Sequence, residues 1–496
     1  MTRKVGLLQK RFLGTLALIA IVLLSMILLF KHAQKWNPVH FADASSEESG
    51  ASTAILANGT STTTVFLPAV MRDYPPPPPV FGVEMSEISA SHGVARAAEA
   101  DVYWVRRNGI KWHEVEATQG VRDWTVLSSF EDELELAHQN DLVSIVVVRG
   151  TPTWAQKVPG SSCGPIEQED LGNFANFMKA LVNRYKGSPY YVKYWELGNE
   201  PDASTNPGDG AYGCWGEPDD YYFGGRYYGE MLQVVYPAIK EADPEAQVLV
   251  GGLLLDYHPQ HPDARTNPMA RFLEGILITC DGQDCFDIVS FHGYPHYTGQ
   301  LEDWEVKRPG NWDNWGGIVA GKAEYINEVL SKYGLDKPLM HTEGALICPS
   351  DICSELTTDF AEAQADYVVQ LYTRNMALDI MATVWFTLEG PGWRWSGLLD
   401  SDMDPKPAYN AFKFMTAELS HARYTGEVTS YSGLKGYAFQ GGGKTVQVLW
   451  APDNTTRNIN VPGGFTQAFD KYGNGITPTG GQIGIGFSPV YLEIAP

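Results

Sequence analysis

Two glutamates follow segments of the sequence that read as buried β-strands. The first, Glu200, stands in the run Tyr194–Asp202 (YWELGNEPD), where a proline comes directly after it. The second, Glu343, stands in the run His341–Ala345 (HTEGA). Two opposed carboxylates can cleave a glycosidic bond, because one protonates the leaving oxygen while the other attacks or stabilises the positively charged sugar. We therefore treat Glu200 and Glu343 as candidate catalytic residues.

Eight short apolar segments precede polar loops along the chain, and amphipathic segments separate them. They read VFGVEM at 80, VYWVRR at 102, LVSIVVV at 142, YVKYWEL at 191, QVLVGGLLL at 247, FDIVSF at 286, KPLMHT at 337 and MATVWF at 381. Strands that alternate with helices indicate an α/β protein with a parallel sheet. Eight such units predict a (β/α)8 TIM barrel. A doubly wound open sheet is the alternative, but no glycine-rich phosphate-binding motif follows the first strand.

The barrel hypothesis places both glutamates at one end of the fold, where catalytic groups of such barrels lie. Glu200 ends strand four and Glu343 ends strand seven, so their carboxylates can face each other across the mouth. Cleavage with retention of configuration would need a separation of about 5 Å. At that spacing the charges repel, so one carboxyl group keeps its proton at neutral pH. An arginine beside Glu343 would keep it ionised as the nucleophile and leave Glu200 as the proton donor.

The motifs WELGNEP (Trp195–Pro201) and HTEGA, with a tryptophan on the last strand, resemble glycoside hydrolase clan A. These are retaining (β/α)8 enzymes related to families five and thirty-nine. The resemblance covers about residues 80–420, and its most specific part is the Asn-Glu-Pro element. It implies that Glu200 is the acid/base, that Glu343 is the nucleophile and that the substrates are β-linked glycans. No metal or organic cofactor is expected, since the carboxylates do the proton transfer.

The same resemblance assigns supporting roles to residues at other strand ends. Asn199 would bind the 2-hydroxyl group of the sugar, and an arginine on strand two would brace the nucleophile. The spacing to Trp112 favours Arg107 for this arginine, with Arg106 as the alternative. The remaining implied site residues are His292 and Tyr294 on strand six and Trp385, as a sugar platform, on strand eight.

Several of these residues also have a purely structural interpretation. Six tryptophans in loops near strand ends are candidate sugar platforms, but packing in the protein would explain each equally well. They are Trp154, Trp215, Trp312, Trp315, Trp393 and Trp395. His292 could be an ordinary core histidine. Glu196, the other acid of the WELGNEP motif, is expected to be structural and paired inside the barrel.

Composition restricts the partners of the chain. It has 496 residues and a net charge of −23, with 59 acidic and 36 basic residues. Nucleic acids need a basic surface, so this charge disfavours them as partners. Fourteen tryptophans and 25 tyrosines exceed what a core needs. The surplus suits an oligosaccharide or polysaccharide substrate, because flat rings stack on sugar faces.

The N-terminus predicts export. Four basic residues within the first 11 positions precede the uncharged apolar segment Phe12–Phe30. This segment is long enough to span a bilayer, and the preceding charges favour a cytoplasmic N-terminus. A cleaved signal peptide is the alternative. The nearest small-x-small site, Ala42–Ala44, lies well beyond the apolar segment, so a signal anchor over residues 1–36 is favoured. The expected location is extracellular, with the protein membrane-anchored or secreted.

The composition changes twice more along the chain. Residues 37–79 are rich in Ser and Thr and end in five consecutive prolines, as a linker would. Residues 80–420 form the predicted catalytic barrel. After residue 420 short strand-like segments alternate with Gly, Asn and Asp turns. Residues 421–496 are therefore expected to form a small antiparallel, β-sandwich-like domain.

Six cysteines follow the apolar segment, and an even number in an exported chain suggests disulfide bonds. Six cysteines permit fifteen pairings. Zinc is the competing explanation, but no Cys or His spacing here resembles a zinc site, so no metal is expected. Proximity in the sequence predicts the pairs Cys280–Cys285 and Cys348–Cys353. The two remaining cysteines would then form the pair Cys163–Cys214.

Two non-enzymatic functions remain as alternatives at this stage. The barrel could be a non-catalytic carbohydrate-binding protein, or it could serve as an adhesion domain of the cell envelope on a glycosidase scaffold. The presence of both glutamates and a strand-two arginine favours the enzyme. Membrane contact is expected through the N-terminal segment only.

Overall fold

The computed structural model describes residues 78–205, 213–265, 269–282, 284–307 and 312–496. The predicted anchor (1–36) and all but the end of the predicted linker (37–79) lie outside these residues. Among the helices that are described, none is both long enough and apolar enough to cross a membrane. The apolar segment Phe12–Phe30, on which the anchor prediction depends, is outside the described part.

Eight parallel strands close into a barrel in the order of the chain. Strand β1 pairs with β8 to complete the ring. Each of the eight predicted segments contains at least half of one strand, so the predicted (β/α)8 fold is confirmed. The strands are β1 (Phe81–Glu84), β2 (Trp104–Lys111), β3 (Val143–Arg149), β4 (Tyr194–Asn199), β5 (Gln247–Leu253), β6 (Ile288–Gly293), β7 (Leu339–Gly344) and β8 (Ala382–Trp385).

Amphipathic helices cover the outside of the barrel. In one of them, Leu171–Tyr185, the side chains of Phe174, Phe177, Met178 and Leu181 are buried. Their spacing of three or four residues places them on one face of the helix, against the strands. The helices of the described part are α1 (Val94–Glu99), α2 (Trp112–Val115), α3 (Ser128–Gln139), α4 (Leu171–Tyr185), α5 (Gly225–Ala242), α6 (Arg271–Cys280), α7 (Trp304–Lys307), α8 (Ile318–Lys332), α9 (Thr358–Ala377) and α10 (Pro407–Leu419).

The barrel interior consists of two layers of side chains. The lower layer is apolar and fully buried, and we call it the floor. Successive residues of a strand point to opposite sides, so the residue two positions beyond a floor residue again points inward. At that level lies a polar layer, which contains Arg106, Glu196, Ser290 and Thr342. The floor residues are Trp104, Ile145, Leu249, Ile288, Met340, Ala382 and Val384.

An antiparallel β-domain follows the barrel, as predicted. It has a five-stranded sheet in the order β13-β15-β11-β10-β9 and a two-stranded sheet of β12 and β14. Apolar residues of both sheets, such as Ile459, Ile483 and Leu492, form a small core of their own. The strands are β9 (Arg423–Glu427), β10 (Lys435–Gly441), β11 (Lys444–Trp450), β12 (Arg457–Asn460), β13 (Phe465–Phe469), β14 (Gln482–Ile485) and β15 (Val490–Ile494).

The β-domain packs on helices α9 and α10 of the barrel. The rings of Phe414 and Tyr491 lie 5.1 Å apart at nearly right angles. Lys471 forms an ion pair of 2.6 Å with Asp366 on α9, and both side chains are buried. Helix α9 is consequently buried along most of its length, between the barrel strands and this sheet.

All three predicted disulfide bonds are present. Cys280–Cys285 and Cys348–Cys353 each close a short loop. Cys163–Cys214 joins the loop after β3 to the loop after β4. This third bond links two of the loops that follow barrel strands at the mouth.

Candidate active site

A tight turn at the end of β4 directs Glu200 toward the barrel mouth. Gly198 has a φ of 93° and Glu200 a φ of 52°, both in the left-handed region. This region costs a residue with a side chain about 1–2 kcal/mol, and such strain persists where the surroundings fix the backbone. The amide of Glu200 donates to the carbonyl of Gly252 on β5 at 3.0 Å. The turn is thereby tied to the neighbouring strand.

Asp202 provides a second tie between this turn and β5. Its carboxylate accepts hydrogen bonds from the amides of Leu254 at 2.9 Å and Leu255 at 2.8 Å. The side chain is fully buried, and this desolvation raises the pKa of Asp202 to about 7 against the opposing effect of the two hydrogen bonds. Asp202 therefore holds the loop after β5 next to Glu200.

The structure brings the two glutamates together at the mouth. A carboxylate oxygen of Glu200, one of Glu343 and a ring nitrogen of His292 all lie within 4.8 Å of one another. His292 Nδ1 is 2.9 Å from Glu200 Oε1 and 3.5 Å from Glu343 Oε2. The hydroxyl of Tyr294 donates to Glu343 Oε2 at 2.5 Å. Four predicted site residues thus form one cluster.

His292 fits between the carboxylates because β5 has a glycine beside it. A Cβ atom at Gly252 would lie 2.0 Å from His292 Nε2, which no side chain could accommodate. Burial lowers the pKa of His292 to about 4, so the imidazole is neutral at neutral pH. A neutral ring leaves the negative charge of the glutamates available for chemistry.

Arg106, and not Arg107, contacts the glutamate of β7, so the preferred prediction for this arginine was wrong. The guanidinium of Arg106 is fully buried and donates to Glu343 Oε1 and to Asn199 Oδ1, each at 2.5 Å. Arg107 points away from the barrel axis and pairs with Glu133 on α3. Trp104 is a floor residue, so alternation along β2 directs Arg106 inward and Arg107 outward.

The sequence and fold match glycosidases. The family model Cellulase (glycosyl hydrolase family 5) matches residues 94–329, which include Glu200 but end before Glu343. The protein is a glycoside hydrolase that resembles clan A. No curated protein matches the sequence significantly.

Solved structures of two glycosidases and of one exported protein are similar in fold to this glycoside hydrolase. A family 39 glycoside hydrolase from Bacteroides cellulosilyticus WH2 is similar with a TM-score of 0.65 and 19% identity, over 85% of this chain and 81% of that chain. A conserved exported protein from Bacteroides fragilis is similar with a TM-score of 0.60 and 12% identity, over 84% of this chain and 98% of that chain. The family 30 xylanase Xyn30A from Clostridium acetobutylicum is similar with a TM-score of 0.53 and 11% identity, over 85% of this chain and 98% of that chain. At these identities the similarity concerns the fold.

Trp385 does not face the mouth of the glycosidase barrel, which corrects its predicted role as a platform. It is fully buried, and its indole nitrogen donates to the carbonyl of Ser396 at 2.8 Å. Its ring lies 6.3 Å from that of Tyr367 on α9, outside the barrel. Val384 belongs to the floor, so the inward residue at the next level is Phe386. Phe386 is partly exposed, with its ring 6.0 Å from that of Tyr294.

Two of the six candidate loop tryptophans, Trp154 and Trp393, differ in their surroundings. Trp154 packs edge-on against Trp112 at 5.2 Å and donates to the carbonyl of Glu116, so its described contacts fit the packing interpretation. Trp393, in the loop after β8, is 46% exposed, and its ring lies 5.1 Å from that of Tyr294. Trp393 is therefore the better placed sugar platform.

The electrostatic surroundings of Glu200 suit a proton donor. Burial raises the pKa of Glu200 to about 7, with Arg106 and Lys322 acting in the opposite direction. Asp256, in the loop after β5, raises it further. The side chain of Asp256 is exposed and has no hydrogen-bond partner among the described residues. Sequence reasoning gave Asp256 no role, although its place just after a strand end is a signal that could have been used.

The polar layer beneath the cluster contains one acid that was expected and one that was not. Glu196 is fully buried and accepts hydrogen bonds from Arg106 Nε, Ser290 Oγ and Thr342 Oγ1 at 2.6 to 2.9 Å. It is structural, as predicted. Glu84, at the end of β1, accepts from Arg106 Nη1 at 2.5 Å and was missed. Inspection of the end of the first predicted strand would have found it.

Proposed function

We propose that this glycoside hydrolase cleaves β-linked glycans by a double displacement that retains the anomeric configuration. Glu343 is the nucleophile and Glu200 the acid/base. The observation that carries the proposal is the approach of their carboxylate oxygens to within 4.8 Å, which fits the separation of about 5 Å that retention requires.

In the first step Glu343 attacks the anomeric carbon while Glu200 gives its proton to the glycosidic oxygen. Arg106 and Tyr294 each donate a hydrogen bond to the carboxylate of Glu343 and hold it in position. A carboxyl group with a pKa near 7, such as Glu200, is still substantially protonated at neutral pH and is acidic enough to transfer the proton. The leaving sugar departs with this proton, and a glycosyl ester with Glu343 remains.

In the second step Glu200 acts as the base. It removes a proton from a water molecule, and the water oxygen bonds to the anomeric carbon as the ester bond to Glu343 breaks. Glu343 leaves as a carboxylate, which Arg106 stabilises, and Glu200 regains the proton it needs for the next cycle. Two inversions at one carbon give net retention.

The charges around the cluster support an uncharged glycan as the substrate. The two cations that act on Glu200 are Arg106 and Lys322. Arg106 is occupied by carboxylates, and buried Lys322 donates to the carbonyls of Leu254 and His292. Neither is placed to bind an anionic sugar. Phe386 and Trp393 offer aromatic faces instead.

A panel of chromogenic β-glycosides and β-linked polysaccharides tests this function. The full chain is expected to hydrolyse at least one of them, with the β-anomer of the product appearing first by NMR. Glu343→Ala is expected to bind the same substrate without turnover. Binding without turnover by the unaltered protein would instead identify a carbohydrate-binding protein, and initial release of the α-anomer would exclude the double displacement.

The cluster also has the donor types of a metal site, but its charges disfavour one. Glu200, His292 and Glu343 supply suitable ligand atoms. A cation bound among them would lie beside the Arg106 guanidinium, which is 2.5 Å from Glu343, and the two positive charges would repel. We expect a chelator to leave the activity unchanged. Loss of activity on chelation that added metal restores would contradict this cofactor-free mechanism.

We also propose that the protein acts outside the cell, anchored by residues 1–36 or secreted, with residues 37–79 as a linker. Three disulfide bonds in the described part support an oxidising environment. Fractionation of expressing cells, with protease added to intact cells, tests this location. Protein that is protected from protease in intact cells and soluble after lysis would contradict it.

A further inference from the structure

Three carboxyl groups share one buried guanidinium in the polar layer. Arg106 donates from Nε to Glu196 at 2.6 Å and from Nη1 to both Glu84 and Glu343 at 2.5 Å. Glu84 and Arg106 are also direct neighbours in the register of β1 and β2. If all three glutamates were ionised, a single positive charge would face three negative charges in a site with little access to water. Such uncompensated burial of charge is costly, and a group in this situation is relieved by protonation.

The hydrogen bonds distinguish the three glutamates. Glu196 accepts bonds from three different side chains, and Glu343 accepts bonds from Arg106 and Tyr294. Among the described residues, Glu84 accepts only from Arg106 Nη1, which it shares with Glu343. Its negative charge is therefore the least well stabilised of the three.

The other charged or titratable groups around Glu84 do not offset this deficit. Tyr294 donates its hydroxyl hydrogen to Glu343. Glu389, after β8, adds a further acid whose Oε1 accepts from the amide of Ser86. Arg106 is the one cation in contact with Glu84 in the described part of the chain. Burial raises the pKa of Glu84 to about 8, and the charges of Glu343 and Glu196 raise it further against Arg106.

We propose that Glu84 is a positioning residue that works in its protonated form, so that Arg106 stabilises the carboxylate of Glu343 without competition. This inference rests on the proposed function of Glu343. When Glu84 ionises, a second carboxylate shares Arg106 Nη1. Glu343 must recover a negative charge when the glycosyl ester breaks, and a neighbouring negative charge opposes that step. Hydrolysis of the ester therefore slows at alkaline pH.

The test is the pH profile of kcat with an activated aryl glycoside, for which breakdown of the glycosyl ester limits the rate. The unaltered enzyme is expected to lose roughly tenfold in kcat one pH unit above the pKa of the group that must stay protonated. In Glu84→Gln, which mimics the neutral acid, this alkaline decrease should disappear while the rate at pH 6 changes by less than about fivefold. Glu343 carries no charge in the glycosyl ester, and this shifts the pH at which kcat falls to half. The diagnostic result is therefore that the alkaline decrease disappears in Glu84→Gln, and not the pH at which it occurs.

Glu133→Gln is the matched control. It makes the same substitution at the partner of the adjacent arginine, Arg107, on the outside of the barrel. It should keep the alkaline decrease of the unaltered enzyme. A Glu84→Gln enzyme that loses the same factor in kcat at every pH, with the alkaline decrease unchanged, would overturn the proposal.

A second measurement does not depend on the variant or on activity. Infrared difference spectra of the unaltered protein between pH 6 and pH 10 should show loss of the carbonyl bands of Asp202 and Glu200 and of one further buried carboxyl group, which we assign to Glu84. The substitutions Glu200→Gln and Asp202→Asn remove the first two bands. If Glu84→Gln does not fold, a doubly substituted protein that shows no remaining loss of a carbonyl band would overturn the proposal by itself. An unaltered enzyme that hydrolyses no glycoside would refute the proposed function, while the infrared result would still decide the state of Glu84.

Discussion

The floor and the polar layer of the barrel are built from the same strands, two residues apart. The floor places Ile145, Leu249, Ile288 and Met340 in a dry, apolar cluster. The polar layer buries Arg106 and Glu196 as completely as the floor, and the two other acids that Arg106 contacts, Glu84 and Glu343, are exposed by only 7% and 6%. Burial of apolar side chains stabilises the fold. Burial of ions costs desolvation free energy, and the hydrogen bonds within the cluster offset only part of it.

This difference between the two layers indicates that the polar layer lowers the stability of the barrel in favour of its function. The polar layer is the direct support of Glu343 and Asn199, which both contact Arg106. The floor is an apolar cluster below the polar layer, and its contribution is to the stability of the fold. Substitutions in the two layers should therefore separate activity from stability.

The largest effect on activity is expected from substitution of Glu200, which lies above the polar layer at the barrel mouth. Glu200→Ala should slow hydrolysis of glycosides with poor leaving groups by roughly 10²–10⁴-fold, because no acid protonates the departing oxygen. With an activated aryl glycoside, added azide should restore part of the rate, since a good leaving group needs no acid. Glu245→Ala, a mostly exposed acid before β5, is the control. Failure of azide to restore any rate in a folded Glu200→Ala enzyme would count against the acid/base role.

The neighbouring arginines test the alternation of side chains directly. Arg106→Lys should lower kcat/KM by about 10²-fold, because a lysine cannot bridge Glu343 and Asn199 as a guanidinium does. Arg107→Lys changes an ion pair with helix α3 on the outside of the barrel, away from the glutamate pair, so kcat/KM should stay within about threefold of that of the unaltered enzyme. Steady-state kinetics on one substrate compare the two. Equal losses would contradict the assignment of Arg106 to the site.

A floor substitution should show the opposite pattern. Met340→Ala leaves a cavity in the floor and should lower the free energy of unfolding by about 2–5 kcal/mol, with kcat little changed at a temperature where the protein is folded. Met340→Leu keeps the volume and should cost less than about 1.5 kcal/mol. Urea denaturation measures both. A large loss of kcat in folded Met340→Ala would show that the two layers are coupled.

The smallest expected effect concerns the charge beside the acid. Asp256 raises the pKa of Glu200, so Asp256→Asn should lower it and move the alkaline decrease of kcat/KM to lower pH. The sign follows because Glu200 must be protonated to act as the acid. Asp336→Asn, an exposed acid before β7, should leave the profile unchanged. A shift toward higher pH in Asp256→Asn would contradict the electrostatic account.

Much of the fold could be predicted because its signals are local. Each barrel strand is a short apolar run followed by polar residues, and the proximity of the paired cysteines in two disulfides is visible in the sequence. Glu200 and Glu343 were found because both stand at strand ends. The choice of Arg107 failed because it used the spacing to Trp112, and the choice of Trp385 failed because it used the resemblance without asking which side of the strand the residue faces. Alternation from neighbouring floor residues would have selected Arg106 and Phe386.

Other features depend on contacts that no local pattern reveals. Asp202 binds the amides of Leu254 and Leu255, which lie more than fifty positions away, so its role in holding the β5 loop could not be read from the turn itself. The environment of Glu84 arises only when strands β1, β2 and β7 meet. Long-range charge balance of this kind requires the three-dimensional arrangement.

The most direct test of the paired carboxylates is to trap the intermediate. A 2-deoxy-2-fluoro glycoside of a sugar that the enzyme hydrolyses forms a long-lived ester with a glycosidase nucleophile, because the fluorine slows the second step. Mass spectrometry of the digested protein is expected to find the sugar attached to Glu343. A label on another residue, or rapid turnover of a natural substrate by Glu343→Ala, would contradict the account.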